Sequence, residues 1–287
     1  MKSEIEDLHK IYQEKLNKKQ FEKISTFING NVGIKLPDEK LIMLQGRLYK
    51  RLKALNIKTF NEYIDFAFSK KDNKNEIINL IDVICTNKTS FFREPIHFEF
   101  IKNNILPEYL ERVNGNKYIK IWSAGCSSGE EAYSIAMAFQ SFINTYIGFD
   151  YSILGTDIST QVLKKASDAT YTEEKAIDIP VELKNNYILK SKDRNNPTIR
   201  ITPEIRKKIK FQRLNLMDKM YNVKHIFDII FCRNTLIYFE RPIQELVINK
   251  LCKHLKHGGY LFIGHSESLF SMNVPLQYIK PTIYKKI

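Results

Sequence analysis

The sequence predicts a mostly parallel α/β sheet with helices on both faces, preceded by a small all-helical module and interrupted by a short antiparallel insertion. Three observations carry that expectation. From Lys117 onward, apolar strand-like runs alternate with amphipathic helical stretches, the pattern of a parallel sheet. Before that point, residues 1 to about 85 show helical periodicity and no convincing strand. Between about 184 and 211, the stretch NNYILKSKDRNNPTIRIT breaks the alternation with two short β-like runs around a turn at Asp193–Pro197.

The elements follow in order. In the first module Ile5, Leu8, Tyr12 and Leu16 recur at helical spacing, as do Leu41, Leu44, Leu48, Leu52 and Leu55, with Pro37 and Asp38 opening the second set. Residues 86–116 link this module to a sheet domain over 117–287. There Tyr118–Trp122 reads as a strand, and Glu130–Phe142 as a helix that buries Ala132, Ile135, Ala136 and Phe139. Tyr151–Gly155 reads as a second strand ending at Asp157, and Gln161–Ala169 as the next helix. Ile226–Phe231 is an apolar strand, Pro242–Leu255 a helix opened by proline, and Tyr260–Ile263 a strand after Gly258 and Gly259.

Composition narrows the functional classes. With 287 residues, 43% hydrophobic and 27% charged, the chain can bury a full core, so it is expected to fold. No run approaches the roughly 18 apolar residues of a membrane span, and the first residues, MKSEIEDLHKIYQEK, are charged where a signal peptide would be apolar. A cytoplasmic protein without membrane insertion is expected. Cys85, Cys126, Cys232 and Cys252 are scattered, with no CxxC pair and no histidines at zinc-ligand spacing, so neither disulfides nor a metal is expected. A net charge of +13 points to an anionic partner, although a genome biased toward Lys, Asn and Ile explains part of it equally well.

The chemistry concentrates at predicted strand ends, where open α/β sheets bind their ligands. The loop Ser123–Gly129 joins a strand to a helix and is built of small residues, yet its G-x-x-x-G spacing is not the dinucleotide fingerprint. Two acids, Glu130 and Glu131, follow it where a phosphate would otherwise sit. They either complement the helix dipole or pair with a cationic ligand group. Asp157 either caps the following helix or accepts hydrogen bonds from the two hydroxyls of a ribose. A nucleoside with a cationic tail describes S-adenosylmethionine. Arg233, Asn234 and Tyr238 stand just beyond the apolar run FDIIF, where reactive side chains belong in this architecture. Upstream, Phe91, Phe92 and Arg93 either pack a domain junction or present Arg93 as a bidentate carboxylate anchor.

Taken together, TNKTSFFRE, WSAGCSSGEE, GTDIS, LNL, FDIIFCRN-x-x-IYF and GHSES, in this order and spacing, resemble the CheR family of chemotaxis receptor methyltransferases over nearly the whole chain, including LPDEK and RLYKRLKAL in the helical module. The resemblance implies a class I S-adenosylmethionine-dependent methyltransferase (Rossmann-like) domain with an inserted antiparallel β-subdomain, preceded by a small all-α domain. It implies that Asn87, Thr89 and Arg93 line the methyl-transfer end of the cofactor pocket, with Arg93 also orienting the incoming carboxylate. Glu131 would hold the methionine ammonium and Asp157 the ribose. Asn215, Leu216, Cys232 and Arg233 would border the adenine and methionine parts, and Tyr238 would stand beside the transferring methyl. The products would be a glutamyl methyl ester and S-adenosylhomocysteine.

Arg47, Lys50 and Arg51, with Lys53 beside them, form a basic helical stripe suited to the acidic helical face of a receptor, or simply a solvated charged face. The family's partner is the cytoplasmic helical region of methyl-accepting chemotaxis receptors, with a receptor C-terminal peptide as a further candidate for the β-subdomain; a monomer is expected. Ala132 stands where the family has proline, Gly125 where alanine is common, and Thr235 where an aliphatic residue follows C-R-N. A glutamate nucleophile is already ionised at neutral pH, so no general base is required, and His254 and His257 are read as partners of a helix end. Two other readings use the same residues: a homologue that senses S-adenosylmethionine or docks to receptors without turnover, and a nucleic-acid methyltransferase. The latter is disfavoured by CRNT standing where an N-P-P-Y cluster is common.

Overall fold

The computed structural model describes residues 14–69, 73–112, 117–143 and 149–287, so the expected helical spacing of Ile5, Leu8 and Tyr12 lies outside the described residues. The chain divides into two compact units, one of Met1–Thr86 with Tyr238–Glu240, the other of Asn87–Ile237 with Arg241–Ile287.

The first unit is helical. Helix α1 spans Lys18–Val32 and opens on a reciprocal capping box: Asn17 accepts from the Gln20 N–H while the Gln20 side chain accepts from the Asn17 N–H. It closes on Gly33 in the left-handed region. Asp38–Lys40 form a 3-10 turn leading into α2, Leu41–Leu55, whose Leu44, Leu48 and Leu52 are fully buried at the predicted spacing. Helices α3 (Phe60–Phe68) and α4 (Lys74–Ile84) complete the unit.

The second unit starts with α5 (Ile96–Phe100) and, after a wider π turn at Ile101–Ile105, α6 (Leu106–Arg112). Strand β1 (Lys117–Ala124), helix α7 (Glu130–Ile143), strand β2 (Phe149–Asp157) and helix α8 (Thr160–Asp168) then follow the predicted alternation. Beyond a third strand β3 (Thr170–Thr172) come α9 (Val181–Tyr187), β4 (Ile188–Lys190), β5 (Thr198–Ile201), α10 (Pro203–Arg206) and β6 (Ile209–Arg213). The last elements are β7 (Phe227–Cys232), α11 (Arg241–Lys253), β8 (Leu255–Ile263), β9 (Leu276–Lys280) and β10 (Ile283–Lys286).

Seven strands form one sheet in the order β6-β2-β1-β7-β8-β10-β9. The first five are mutually parallel, with Ile121 opposite both Ile153 and Ile229, while β10 pairs antiparallel with β8 and β9 antiparallel with β10. Strand β7 is buried along its whole length, as a strand covered on both faces must be. Ala132, Ile135, Ala136 and Phe139 of α7 pack into the same core as Ile119, Ile121, Ile229 and Phe231.

The antiparallel insertion forms a separate sheet in the order β3-β5-β4. It draws Thr170–Thr172 from upstream of residue 184, while Ile209–Arg213 leaves it to become the edge of the parallel sheet. The physical reason is pairing: β6 finds a parallel partner in β2, whereas β3 needs β5 to satisfy its backbone. The C-terminal helix ends at Lys253, and His257 lies within β8, so His257 is not the helix-end partner expected. His254 follows the helix directly and stacks on Tyr221 with ring centroids 6.0 Å apart.

Candidate functional site

Parallel strands β2, β1 and β7 end side by side, and three connections leave from those ends. The first is the loop from Ser123 to Gly129. Its Gly125 and Cys126 N–H groups both donate to the Thr156 carbonyl, at 2.8 and 2.9 Å, which folds the loop back over β2. Gly125 has φ +84, and a Cβ there would stand 2.3 Å from Thr235 Oγ1. The two departures at 125 and 235 are therefore one fit: the hydroxyl-bearing Thr235 occupies the space a larger residue at 125 would need.

The paired glutamates separate sharply. Glu130 is fully buried, accepts from Ser128 Oγ at 2.7 Å and forms an ion pair with Lys175. Glu131 accepts from Ser123 Oγ at 2.6 Å and lies 3.4 Å from the Arg233 guanidinium. Burial pushes the Glu131 carboxyl above its ordinary value, against the opposing pull of Arg233 and Ser123.

Arg233 side-chain atoms are 2% exposed, and the guanidinium bridges Glu131 on one side and Glu94 on the other, 3.2 Å away. It also donates to the backbone carbonyl of Arg93. Two carboxylates around one guanidinium leave this buried cluster one negative charge in excess. An ammonium group is the ligand charge that balances it. Glu94 was not singled out by sequence reasoning; the signal available was its place in the FFRE motif beside Arg93.

Asp157 fastens the second connection. Its carboxylate accepts from the Ser127 N–H and the Ser159 N–H, both at 2.9 Å. The residue that caps α8 is Ser159, which accepts from Val162, so Asp157 serves the loop crossing rather than the helix cap. Ser127 in turn donates to the Asn87 carbonyl at 3.2 Å. Leu214 donates its N–H to the Asp157 carbonyl at 2.9 Å, bringing Asn215 and Leu216 to the same strand end, where the Asn215 side chain accepts from Met217 N–H.

The third connection leaves Cys232, which is fully buried at the end of β7. Glu267 holds its backbone: the carboxylate accepts from the N–H groups of Asn234, Leu236, Ile237 and Gly264. Glu267 too was missed, because GHSES carries no sign that its acid is used to knot a distant loop. Phe92, Glu94, Ser127 and Asn234 all have left-handed φ, four of the eight such non-glycine residues described. Strain of this kind persists only where surrounding bonds over-determine the backbone.

Arg93 is exposed, with its side chain donating to the Lys88 carbonyl at 3.3 Å, and Thr89 is half-buried in the same segment. Tyr238 ends the 3-10 turn Leu236–Tyr238; it belongs to the helical unit, where its hydroxyl donates to the Thr86 carbonyl at 3.3 Å. In that unit the basic stripe is corrected. Arg47 donates to the carbonyls of Val83, Ile84 and Cys85 at the end of α4, and Arg51 clasps Glu76 at 3.0 and 2.5 Å. Both are held inside the unit, because the C-terminal carbonyls of α4 and a buried acid need a cation there. Lys50 and Lys53 remain exposed.

The unit that contains Glu131 and Asp157 can thus receive a ligand with a cationic end and a polyhydroxylated end, and the carboxylates around Arg233 disfavour a pyrophosphate at that point. Comparison with known proteins agrees. Residues 87–285 match the family described as "CheR methyltransferase, SAM binding domain", and residues 19–85 match "CheR methyltransferase, all-alpha domain". A "Chemotaxis protein methyltransferase" of Borreliella burgdorferi is 39% identical over 94% of this chain and 95% of its own length. A protein of the same description from Escherichia coli is 33% identical over 94% of this chain and 91% of its own. "Chemotaxis protein methyltransferase 1" of Pseudomonas aeruginosa is 34% identical over 90% of this chain and 92% of its own. Family models that cover both units, together with relatives at 33–39% identity over nearly the whole chain, show that the chain belongs to the CheR methyltransferase family.

Proposed function

We propose that this protein methylates glutamate side chains of chemotaxis receptors, using S-adenosylmethionine and giving glutamyl methyl esters. The observation that carries the reading is the Glu131–Arg233–Glu94 cluster, one charge short of neutrality at the loop that opens α7. When bound, the cofactor supplies a sulfonium-activated methyl group and leaves as S-adenosylhomocysteine.

Glu131 holds the ammonium, with Ser123 and Arg233 fixing the direction of its carboxylate. Asp157 accepts from the ribose hydroxyls; a carboxylate offers about four acceptor sites, so its bonds to Ser127 and Ser159 are compatible with that role. Asn215 and Leu216 border the adenine, and Cys232 and Arg233 the methionine part. Asn87, Thr89 and Arg93 line the transfer end, where the exposed Arg93 guanidinium orients the incoming carboxylate and Tyr238 serves the same step. The nucleophile is already a carboxylate near neutral pH, with an ordinary pKa of about 4.3, so alignment and partial desolvation supply the catalysis. Neither a general base nor a metal takes part in the transfer. Too firm a hold on the ground-state carboxylate would slow the reaction, which favours a mobile, exposed arginine over a buried one.

Lys50 and Lys53 are the recognition residues of the basic stripe, facing the acidic side of a receptor's cytoplasmic helices. The small antiparallel sheet offers a place for a receptor C-terminal peptide. The protein acts in the cytoplasm as a monomer; among the described residues no helix is long and apolar enough to cross a membrane. Incubation with methyl-labelled S-adenosylmethionine and receptor cytoplasmic fragments is expected to give base-labile, methanol-releasing label on the receptor. Cofactor binding without such label would replace the enzyme with a sensing or docking homologue. Label on nucleic acid would replace the substrate.

A further inference from the structure

Glu94, which pairs with Arg233 in the cluster described above, also belongs to a second one whose two histidines the proposed methyl transfer does not use. Glu94, His97 and His265 each direct one potential ligand atom inward, and these atoms all lie within 4.8 Å of one another. His97 is completely buried, and its Nδ1 has no hydrogen-bond partner, although it lies 3.6 Å from Glu94 Oε2.

The proton inventory sharpens this. Thr282 Oγ1 is 2.5 Å from the Pro281 carbonyl, which has no hydrogen of its own, so the threonine proton lies between them. Toward His97 Nε2, 2.7 Å away, Thr282 must therefore accept, and the imidazole proton sits on Nε2. Nδ1 then presents a lone pair toward a carboxylate: acceptor faces acceptor in a buried place. Arg233 already neutralises that carboxylate oxygen from one side, and the buried Nδ1 is the atom left without a partner.

We propose that Glu94, His97 and His265 form a binding site for one divalent transition-metal ion of the zinc class. Two imidazoles and one carboxylate are the donor set such ions take, with a fourth position open to solvent. Donors bonded to zinc at about 2.0–2.2 Å stand roughly 3.3–3.6 Å apart in a tetrahedron, so the Glu94–His97 pair is already at working separation. His265 is exposed and supplies both the remaining adjustment and the entry path. Its own N–H donates to Glu94 Oε1 at 3.2 Å, tying its backbone to the same carboxylate. Two imidazoles and a single carboxylate oxygen do not suit hard cations that need several oxygens, such as calcium or magnesium. The site departs from the expectation of no metal because two ligands sit at the start of α5 and the third is brought over by β8, far away in the sequence.

The test uses the full chain stripped with chelator and titrated with Co2+ in visible absorption, with Zn2+ in equilibrium dialysis for stoichiometry. One ion per chain is expected, without the thiolate charge-transfer band that capture by the partly exposed Cys85 would give. His265→Ala should weaken binding at least about tenfold while leaving thermal unfolding of the metal-free protein unchanged, and His257→Ala, at an exposed position of β8, should bind as the parent does. No bound ion, a thiolate band, or undiminished binding by His265→Ala would overturn the site. S-adenosylmethionine binding measured in chelator is independent of these outcomes, so a failed metal site and a failed methyltransferase reading are told apart.

Discussion

At the scale of single residues, two adjacent glutamates do different work, and their variants should separate cleanly. In the proposed function Glu131 is the one that holds the ligand's ammonium, so Glu131→Gln removes a charge-assisted hydrogen bond of about 1.5–3 kcal/mol and should weaken S-adenosylmethionine binding roughly tenfold to a hundredfold. Its melting temperature should stay near that of the parent. Glu130→Gln should do the reverse, because Glu130 is fully buried against Ser128 and Lys175. Lys175 is 42% exposed and can be solvated once its partner is gone, so the loss is about 1–3 kcal/mol, visible in denaturant unfolding. The pH dependence of cofactor binding follows from the same burial. Glu131 is raised, and only its ionised form attracts an ammonium. Affinity should therefore be full at higher pH and fall on acidification, beginning above the ordinary glutamate range, with proton uptake on cofactor release in that window. Calorimetry in buffers of different ionisation heat checks the sign, and Glu131→Gln should abolish the dependence. Asp157→Ala should lower cofactor affinity too; unchanged affinity would contradict its assignment to the ribose.

At the scale of elements, the helical unit shows what periodicity reveals and what it hides. The spacing of Leu44, Leu48 and Leu52 announced a buried stripe, and all three are fully buried. The same spacing grouped Arg47, Lys50 and Arg51 as one recognition face, but a repeat of 3.6 does not say which cations have acids or carbonyls waiting from another helix. Arg51 meets Glu76, 5% exposed and also hydrogen-bonded to Tyr63 at 2.8 Å, and Arg47 meets the end of α4. Arg51→Ala should consequently destabilise the protein by about 3–5 kcal/mol through the stranded carboxylate. Lys50→Glu should leave thermal unfolding unchanged and raise the KM for receptor fragments. A large stability loss in Lys50→Glu, or none in Arg51→Ala, would reverse the assignment. In the sheet unit, alternation made β1, α7, β2, α8, β7 and α11 legible, since each buries a regular apolar face. Strands β9 and β10 escaped because LQYIK and IYKK are polar edge and near-edge segments, ordered by pairing, β10 with β8 and β9 with β10, rather than by their own pattern. Glu131 and Asp157 were singled out as candidates by loop chemistry. Glu94 and Glu267 were not, since their partners, Arg233 and the 234–237 backbone, come together only when the sheet closes the distance.

At the scale of the whole molecule, the proposed function assigns the charge of +13 and the buried acidic cluster to different ligands, and ionic strength should distinguish them. The positive charge is distributed over exposed lysines and arginines such as Lys50, Lys53 and Arg93, where an anionic receptor surface would be steered. Screening acts on such surfaces: the Debye length falls from about 30 Å at 0.01 M salt to about 10 Å at 0.1 M. The Glu131–Arg233–Glu94 cluster is enclosed, with side-chain exposures of 13%, 2% and 8%, so dissolved salt reaches it poorly. Raising salt from 0.01 to 0.15 M should therefore increase the KM for receptor fragments several-fold, chiefly by slowing association, while the dissociation constant of S-adenosylmethionine moves by less than about twofold. Initial-rate measurements at saturating cofactor give the first quantity and calorimetry the second. A cofactor affinity that fell in step with receptor affinity would mean that the ammonium is held at the surface, and the enclosed carboxylate would lose its place in the proposal.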